Sequence, residues 1–351
     1  MDGTDELERL TRDILERHCG PETVEAAEGS WAPELWSALA ASGLTALGLP
    51  EEDGGSGGGL AEATAVVRVA AGFAAPLPLV PALLLAPRIR AAFGLRQADG
   101  LVTVSLTPLD AERADGGWRI TGRLHDVRYG HLAESLLIVA RHGEELIVAE
   151  LENDGLDWER ATDLAGEPRD SAEVDVVVRR TAPIEGATLD ELRDLEALGT
   201  AWAMVGAMER VLGLVVGYTT QREQFGRTLS RFQAVKQLAA EIAGEVAISR
   251  AAAVAATSSP SPLAVASARV RAAMAATPVA RIALQLHGAI GYTREYPLHQ
   301  LTRRLWSWRD EGGGERGWTE LAGRRALAGG PERLWQTLTA AGASESGEES
   351  R

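Results

Sequence analysis

The sequence predicts an α+β fold laid out in three consecutive parts. These are a helical domain over residues 1–99, a small middle β domain over 100–184 and a C-terminal helical bundle over 185–342, with a disordered tail at 343–351. Three observations predict it. Apolar residues recur at helical spacing in the first part, short β-branched runs between turn residues fill the second, and helical periodicity returns in the third. At 351 residues and 45% hydrophobic content, the chain can bury a large core and has an ordinary globular composition.

Residues 1 to about 95 are expected to be helical. Leu35, Trp36, Leu39 and Leu44 recur at helical spacing, and Gly43 stands where that helix should end. The glycine-rich run Glu51 to Gly59 contains a G-x-G, but no strand precedes it. It reads as a flexible surface loop rather than a dinucleotide fingerprint. A second helix is expected over about Ala61–Gly72, before the proline-rich Ala75-Pro-Leu-Pro-Leu-Val-Pro81. Five β-rich runs follow: Leu101–Leu106, Trp118–Thr121, Leu136–Ala140, Leu146–Ala149 and Val174–Val178, with Asp115-Gly-Gly117 as a hairpin turn. Thr188-Leu-Asp-Glu191 has the form of a capping box and should start a helix. Val235, Leu238, Ile242 and Val246 keep one apolar face of a bundle helix. A further helix over about Leu263–His287 is expected to be interrupted by Pro278, because an interior proline costs about 3 kcal/mol.

The formal charge of −15 argues against a nucleic-acid binder, which needs a basic face. Cys19 is the only cysteine, which excludes an intramolecular disulfide and a cysteine-based zinc site. The six histidines form no pair at metal-ligating i, i+4 spacing, so no metal is expected. No run of eighteen apolar residues occurs and the N-terminus is acidic; a cytoplasmic protein without membrane contact is expected.

Two segments carry the chemistry. Tyr218-Thr-Thr-Gln-Arg-Glu-Gln-Phe-Gly-Arg-Thr-Leu-Ser-Arg-Phe-Gln233 joins two helix-like stretches through an Arg222-x-Gln224-Phe225-Gly226 turn; the second is Gln285-Leu-His-Gly-Ala-Ile-Gly-Tyr-Thr-Arg-Glu-Tyr-Pro297. Arg222 offers a planar fork suited to a diphosphate, Gln224 an amide donor, and Phe225 and Phe232 flat apolar faces. Gly288 lets backbone come close to a ligand. Taken singly, Arg222 could instead cap a helix, Phe225 lie in the core and Gly288 end a helix.

In this order, behind a β domain, the two segments resemble the flavin-holding signatures of the acyl-CoA dehydrogenase family. Trp36-x-x-Leu-Ala-x-Ser-Gly-Leu44, Leu49-Pro-Glu-Glu-Asp-Gly-Gly55 and Ala75-Pro-Leu-Pro add weaker likenesses, so the resemblance covers nearly the whole chain. It implies FAD as cofactor, an acyl-CoA or other acyl thioester as substrate, and an electron-transfer flavoprotein or similar acceptor. It further implies a homo- or hetero-oligomer, dimer or tetramer, in which the Arg222 turn contacts the FAD of a neighbouring subunit. Arg222, Gln224, Phe225, Phe232, Gln233, Gln285 and Gly288 are the cofactor-binding positions it indicates, with Ala289 where a second glycine is common. The β domain departs from the pattern. Where the family usually has a Trp-Ile-Thr-like strand beside the flavin, this chain has Gly122-Arg-Leu-His-Asp-Val-Arg-Tyr-Gly-His131; His125, Tyr129 and His131 are candidates to face the isoalloxazine, with loop or surface histidines as the preferred reading.

In the family's reaction a carboxylate removes the α-proton of the thioester while a β-hydride leaves to flavin N5. The commonest position for that carboxylate falls on Gly312, which cannot act as a base; Glu311 is its neighbour. A second family position, on the helix leading into the Arg222 turn, falls on Glu196, which shares a face with Leu192, Gly199, Ala203 and Gly206. Ala197 stands where an arginine often follows that glutamate. The catalytic candidates are therefore Glu196 and Glu311, with a carboxylate from another polypeptide as the third possibility. Glu209-Arg210 is read as non-catalytic, and Arg303-Arg304 as an ordinary surface pair, with contact to phosphates of coenzyme A or FAD as the alternative.

The function expected is α,β-desaturation of an acyl thioester, by a self-sufficient homotetramer or as the base-less subunit of a mixed assembly. The latter form is known in the family among bacterial enzymes for bulky steroid-like acyl-CoAs. A non-catalytic structural subunit and a flavin-dependent monooxygenase on the same fold are the alternatives.

Overall fold

The computed structural model describes residues 3–98, 100–184, 189–330, 332 and 334–336. The expected capping residue Thr188 and the expected tail at 343–351 lie outside the described residues. Two compact units divide the chain, residues 1–199 and 200–351.

The first unit opens with helices α1 (Gly3–His18), α2 (Pro21–Ala26) and α3 (Pro33–Ala41). α3 buries Leu35, Trp36 and Leu39, and Gly43 follows with φ +73°, the left-handed turn its glycine makes possible. The glycine-rich run is held down by backbone: Gly48 N–H reaches Gly57 O, Gly57 N–H reaches Leu49 O, and Ser56 N–H reaches Ala46 O. A Cβ on Gly55 would stand 2.0 Å from the Leu49 carbonyl oxygen, so only glycine passes there. Helix α4 (Leu60–Gly72) is followed by the proline-rich turn and a π-helical turn, Pro81–Leu85, that runs into α5 (Ala86–Ala92). The apolar Leu77–Leu85 stretch is buried protein core.

The β domain is one mixed seven-stranded sheet. Its strands are β1 (Val102–Ala114), β2 (Gly117–Arg128), β3 (Ser135–His142), β4 (Glu145–Glu152), β5 (Trp158–Glu159), β6 (Arg169–Val178) and β7 (Thr181–Pro183), in the order β5-β6-β2-β1-β3-β4-β7. Only β1 and β3 pair in parallel among the described strands; the other pairs are antiparallel. Asp115-Gly116 makes the β1–β2 turn, with Ala114 opposite Gly117 and Gly116 at φ +79°. Two strands outrun their sequence signals. β1 continues through Pro108 because its register against β3 shifts between Ser105 and Leu109, where a missing N–H breaks no ladder bond. β2 continues to Arg128, with a shift against β6 between Leu124 and Val127. Trp118, Ile120, Leu124, Leu136, Ile138, Ile147 and Val174 form the apolar face, while Arg119–Asp175 and Arg123–Glu173 pair across the exposed one.

Helix α6 (Leu189–Gln221) begins in the first unit and ends in the second. Gly199 sits against Val80 and Leu84 within the first unit; a Cβ there would come 2.7 Å from Leu84 Cδ2. α6 is long and apolar enough to cross a membrane by length and composition, and 67% of that stretch is buried in the protein. The second unit adds the short hairpin β8 (Glu223–Gln224) and β9 (Arg227–Thr228), then helices α7 (Gln233–Ser258), α8 (Pro262–His287), α9 (Leu298–Asp310) and α10 (Gly314–Leu327). On α7, Ile242 and Val246 are buried but Val235 and Leu238 only half so.

Pro278 does not interrupt its helix, contrary to the sequence expectation: α8 runs unbroken from Pro262 to His287. α8 buries Ala272, Ala273, Ala275, Ala276, Val279 and Ala280 around the proline, packed among α7, α9 and α10. That packing offsets the local cost of the missing N–H.

Candidate functional site

The Arg222 turn is built from the end of α6. Arg222 N–H donates to Tyr218 O (2.8 Å) as a last helical bond, and Leu229 N–H closes the turn on Arg222 O (2.9 Å). Glu223 pairs with Thr228 and Gln224 with Arg227, leaving Phe225 and Gly226 as the two-residue tip. Both are left-handed, φ +55° and +75°, as a tight hairpin of this hand requires. For phenylalanine that conformation costs roughly 1–2 kcal/mol, a local strain of the kind that marks functional turns. The result is a ring 89% exposed at the tip, edge-on to Phe232, which itself lies under the Arg227 guanidinium at 4.1 Å.

Arg222, Gln224 and Gln233 are exposed, and the Arg222 side chain has no hydrogen-bond or ion-pair partner among the described residues. An outward cation, an outward amide and an exposed aromatic ring fit a diphosphate joined to flat rings. The residues present therefore suit the cofactor the sequence suggests. The second segment meets this turn from α8. Gln285 is exposed on the last turn, and Gly288, at φ +63° and ψ −141°, ends the helix with nothing within 4 Å of where a Cβ would stand. Backbone there is open to a ligand. The two segments are brought together by rings: Tyr218 stacks on His287 with centroids 4.5 Å apart.

The candidate bases fall in different units. Glu196, in the first unit, is half-buried on α6 beside buried Leu192, Ala197, Leu198 and Gly199. Glu311, in the second, is half-buried just after α9. Gly312, Gly313 and Gly314 follow it with φ of +59°, +94° and +64°, three consecutive left-handed residues. The backbone where the family's carboxylate is expected is thus shaped for glycine.

Sequence reasoning missed the support of this loop. Arg269 of α8 is 1% exposed, and its Nη2 donates to the carbonyls of Trp308 (2.6 Å), Glu311 (3.1 Å) and Arg309 (3.3 Å). It caps the C-terminus of α9, where the helix dipole favours a cation. Arg309 adds a second tie through Nη1 to Thr277 Oγ1 (2.7 Å), and forms a bidentate pair with Asp310, which holds that carboxyl below its ordinary range.

Five further residues are corrected or fixed by the structure. Arg304 is buried, donating to Gln300 O, rather than lying on the surface as half of an exposed pair. Tyr129 is buried at 1% exposure with φ +54°, not a loop residue facing solvent, because β2 continues up to it. His131 Nδ1 lies 2.7 Å from the fully buried Asp170 carboxylate, which also accepts its backbone N–H; His125 is exposed on β2. Glu209 pairs with Arg250 of α7. Among the described residues no group of three His, Cys, Asp or Glu could hold a metal.

Residues 190–316 match the family described as acyl-CoA dehydrogenase, C-terminal domain, and residues 2–93 match acyl-CoA dehydrogenase, N-terminal domain. The chain is 31% identical over 303 residues to acyl-CoA dehydrogenase IpdE2 of Mycolicibacterium smegmatis, covering 83% of this chain and 88% of that one. Among solved structures it is similar to the ChsE4-ChsE5 complex from Mycobacterium tuberculosis, with a TM-score of 0.84, 26% identity and coverage of 94% and 98%. It is also similar to the Tcur3481-Tcur3483 steroid ACAD, with a TM-score of 0.81, 25% identity and coverage of 97% and 99%.

Proposed function

The chain belongs to the acyl-CoA dehydrogenase family, whose members generally bind FAD, and from that premise we propose that it serves α,β-desaturation of an acyl thioester as the cofactor-clasping subunit of a mixed assembly. The observation that carries this reading is the contrast between two loops. The Arg222 turn offers a free guanidinium and a strained, exposed Phe225, while the base loop offers three left-handed glycines.

When bound, the flavin supplies a hydride acceptor. Arg222 and Gln224 would hold its diphosphate, Phe225 and Phe232 would offer apolar surface to its rings, and Gln285 and the Gly288 backbone would hold it from α8. Their outward placement suits a cofactor shared with a neighbouring subunit. Gly312 cannot take the α-proton, so a carboxylate elsewhere does. In this chain Glu196 is the first candidate and Glu311 the second; in a mixed assembly a partner supplies it. An electron-transfer flavoprotein or similar acceptor would take up the electrons. Two structural relatives bear paired chain names, ChsE4-ChsE5 and Tcur3481-Tcur3483, which supports the mixed arrangement.

Expression alone and beside a longer co-encoded relative tests the proposal. Flavin absorbance that an acyl-CoA bleaches only in the co-expressed preparation is the expected result. Bleaching by this chain alone would exclude the need for a partner, and flavin in neither preparation would leave a structural subunit.

A further inference from the structure

His287 is a buried imidazole, 3% exposed, one residue before Gly288. Its ring lies against Tyr218 of α6 (centroids 4.5 Å apart, planes at 25°) and against Tyr296, in the loop before α9 (4.9 Å). Tyr218 and Tyr296 meet edge-on at 6.1 Å, so the three rings close a triangle. One corner is the residue whose carbonyl receives the Arg222 N–H; another adjoins Gly288 and follows Gln285 by two positions. The imidazole is therefore wedged between the two segments assigned to the flavin.

We propose that His287 is a positioning residue that holds the Arg222 turn and the Gln285–Gly288 segment in register, and that its protonation loosens both and releases the flavin. The inference rests on the cofactor reading above. Nδ1 lies 2.8 Å from the Ala283 carbonyl, which accepts only, so the neutral ring carries its proton there. Nε2 is buried and makes no hydrogen bond. A second proton would place a cation in a buried site between two aromatic rings, with the Leu214 carbonyl as the group that favours it and burial outweighing that gain. Burial pushes the imidazole below its ordinary value, outweighing the carbonyls of Ala283 and Leu214 that pull it up. Tyr296 is pushed up by burial and eased by Arg210 of α6, a cation on the same helix that further disfavours charge on the cluster.

With the folded value depressed, the unfolded chain binds the proton first. The contribution of His287 is whole above about pH 6.5 and is lost as pH falls below it.

The test measures flavin retained by the flavin-loaded assembly after gel filtration from about pH 7.5 down to about pH 5, for wild type, His287→Phe and His287→Leu. Wild type is expected to lose flavin by roughly tenfold across that range, and the two variants, which cannot titrate, to hold it evenly. In parallel, unfolding midpoints of the flavin-free chain should fall with pH more steeply for wild type than for either variant. Wild-type and variant curves that superimpose in both measurements overturn the role of His287. Absence of flavin from wild type at every pH instead overturns the cofactor reading and the release step together, while the midpoints still report the titration.

Discussion

Replacing Arg269 by methionine should destabilise the second unit more than any surface change in it. The guanidinium is 1% exposed and satisfies carbonyls at the end of α9 at 2.6, 3.1 and 3.3 Å. A hydrogen bond to a charged group contributes about 1.5–3 kcal/mol, so counting the two shorter ones gives about 3–6 kcal/mol. Methionine fills much of the same volume and returns about 1 kcal/mol through packing. The net loss is about 2–5 kcal/mol. At about 2–4 °C per kcal/mol for a cooperative unit of this size, Arg269→Met should lower the melting temperature by about 4–20 °C. Lysine keeps the charge but reaches fewer carbonyls, so Arg269→Lys should fall between. Calorimetry reads the midpoint, and hydrogen exchange should show faster opening at Gly312–Gly314. A methionine variant melting within about 1 °C of wild type would refute the claim that this cap holds the glycine loop in place.

Arg222→Ala and Phe225→Ala should each lower the flavin content of the purified assembly, with the flavin-free chain melting as wild type, since both side chains are exposed. A parallel loss of stability would make the turn a structural element. Glu196→Gln should cut turnover by about 100-fold or more at constant flavin content if Glu196 takes the α-proton. Glu311→Gln in the same assay tests the second candidate, and full activity in both assigns the proton to a partner's carboxylate. Pro278→Ala should stabilise the chain by about 1–3 kcal/mol in urea titration, because α8 is continuous through it. No gain would mean that the helix depends on a bend there.

What the sequence made legible was mostly local. Alternation and turn residues located the strands, and the order Arg222, Gln224, Phe225, Gly226 announced a tight turn that is indeed left-handed at both tip residues. What stayed hidden depends on contacts between residues distant in the chain. Arg269 in an alanine-rich helix reads as a solvated charge until α9 is laid against it. His287 has no signal of its own, because Tyr218 and Tyr296 meet it only after α6 and α8 pack. Pro278 shows the opposite failure: a sound local rule gave way to burial on several sides. β2 outran its signal for a similar reason, since pairing with β6 carries it past the residues that read as loop.

The run Gly312-Gly313-Gly314 also bears on how such a chain can change over generations. Each of the three holds a backbone angle that penalises any side chain by roughly 1–2 kcal/mol. A single codon change that put glutamate at position 312 would thus place the new carboxylate on a strained turn. A carboxylate there would carry the same local strain that Phe225 carries at the tip of its turn. The loop geometry thus disfavours any side chain, a base included, at position 312 of this chain.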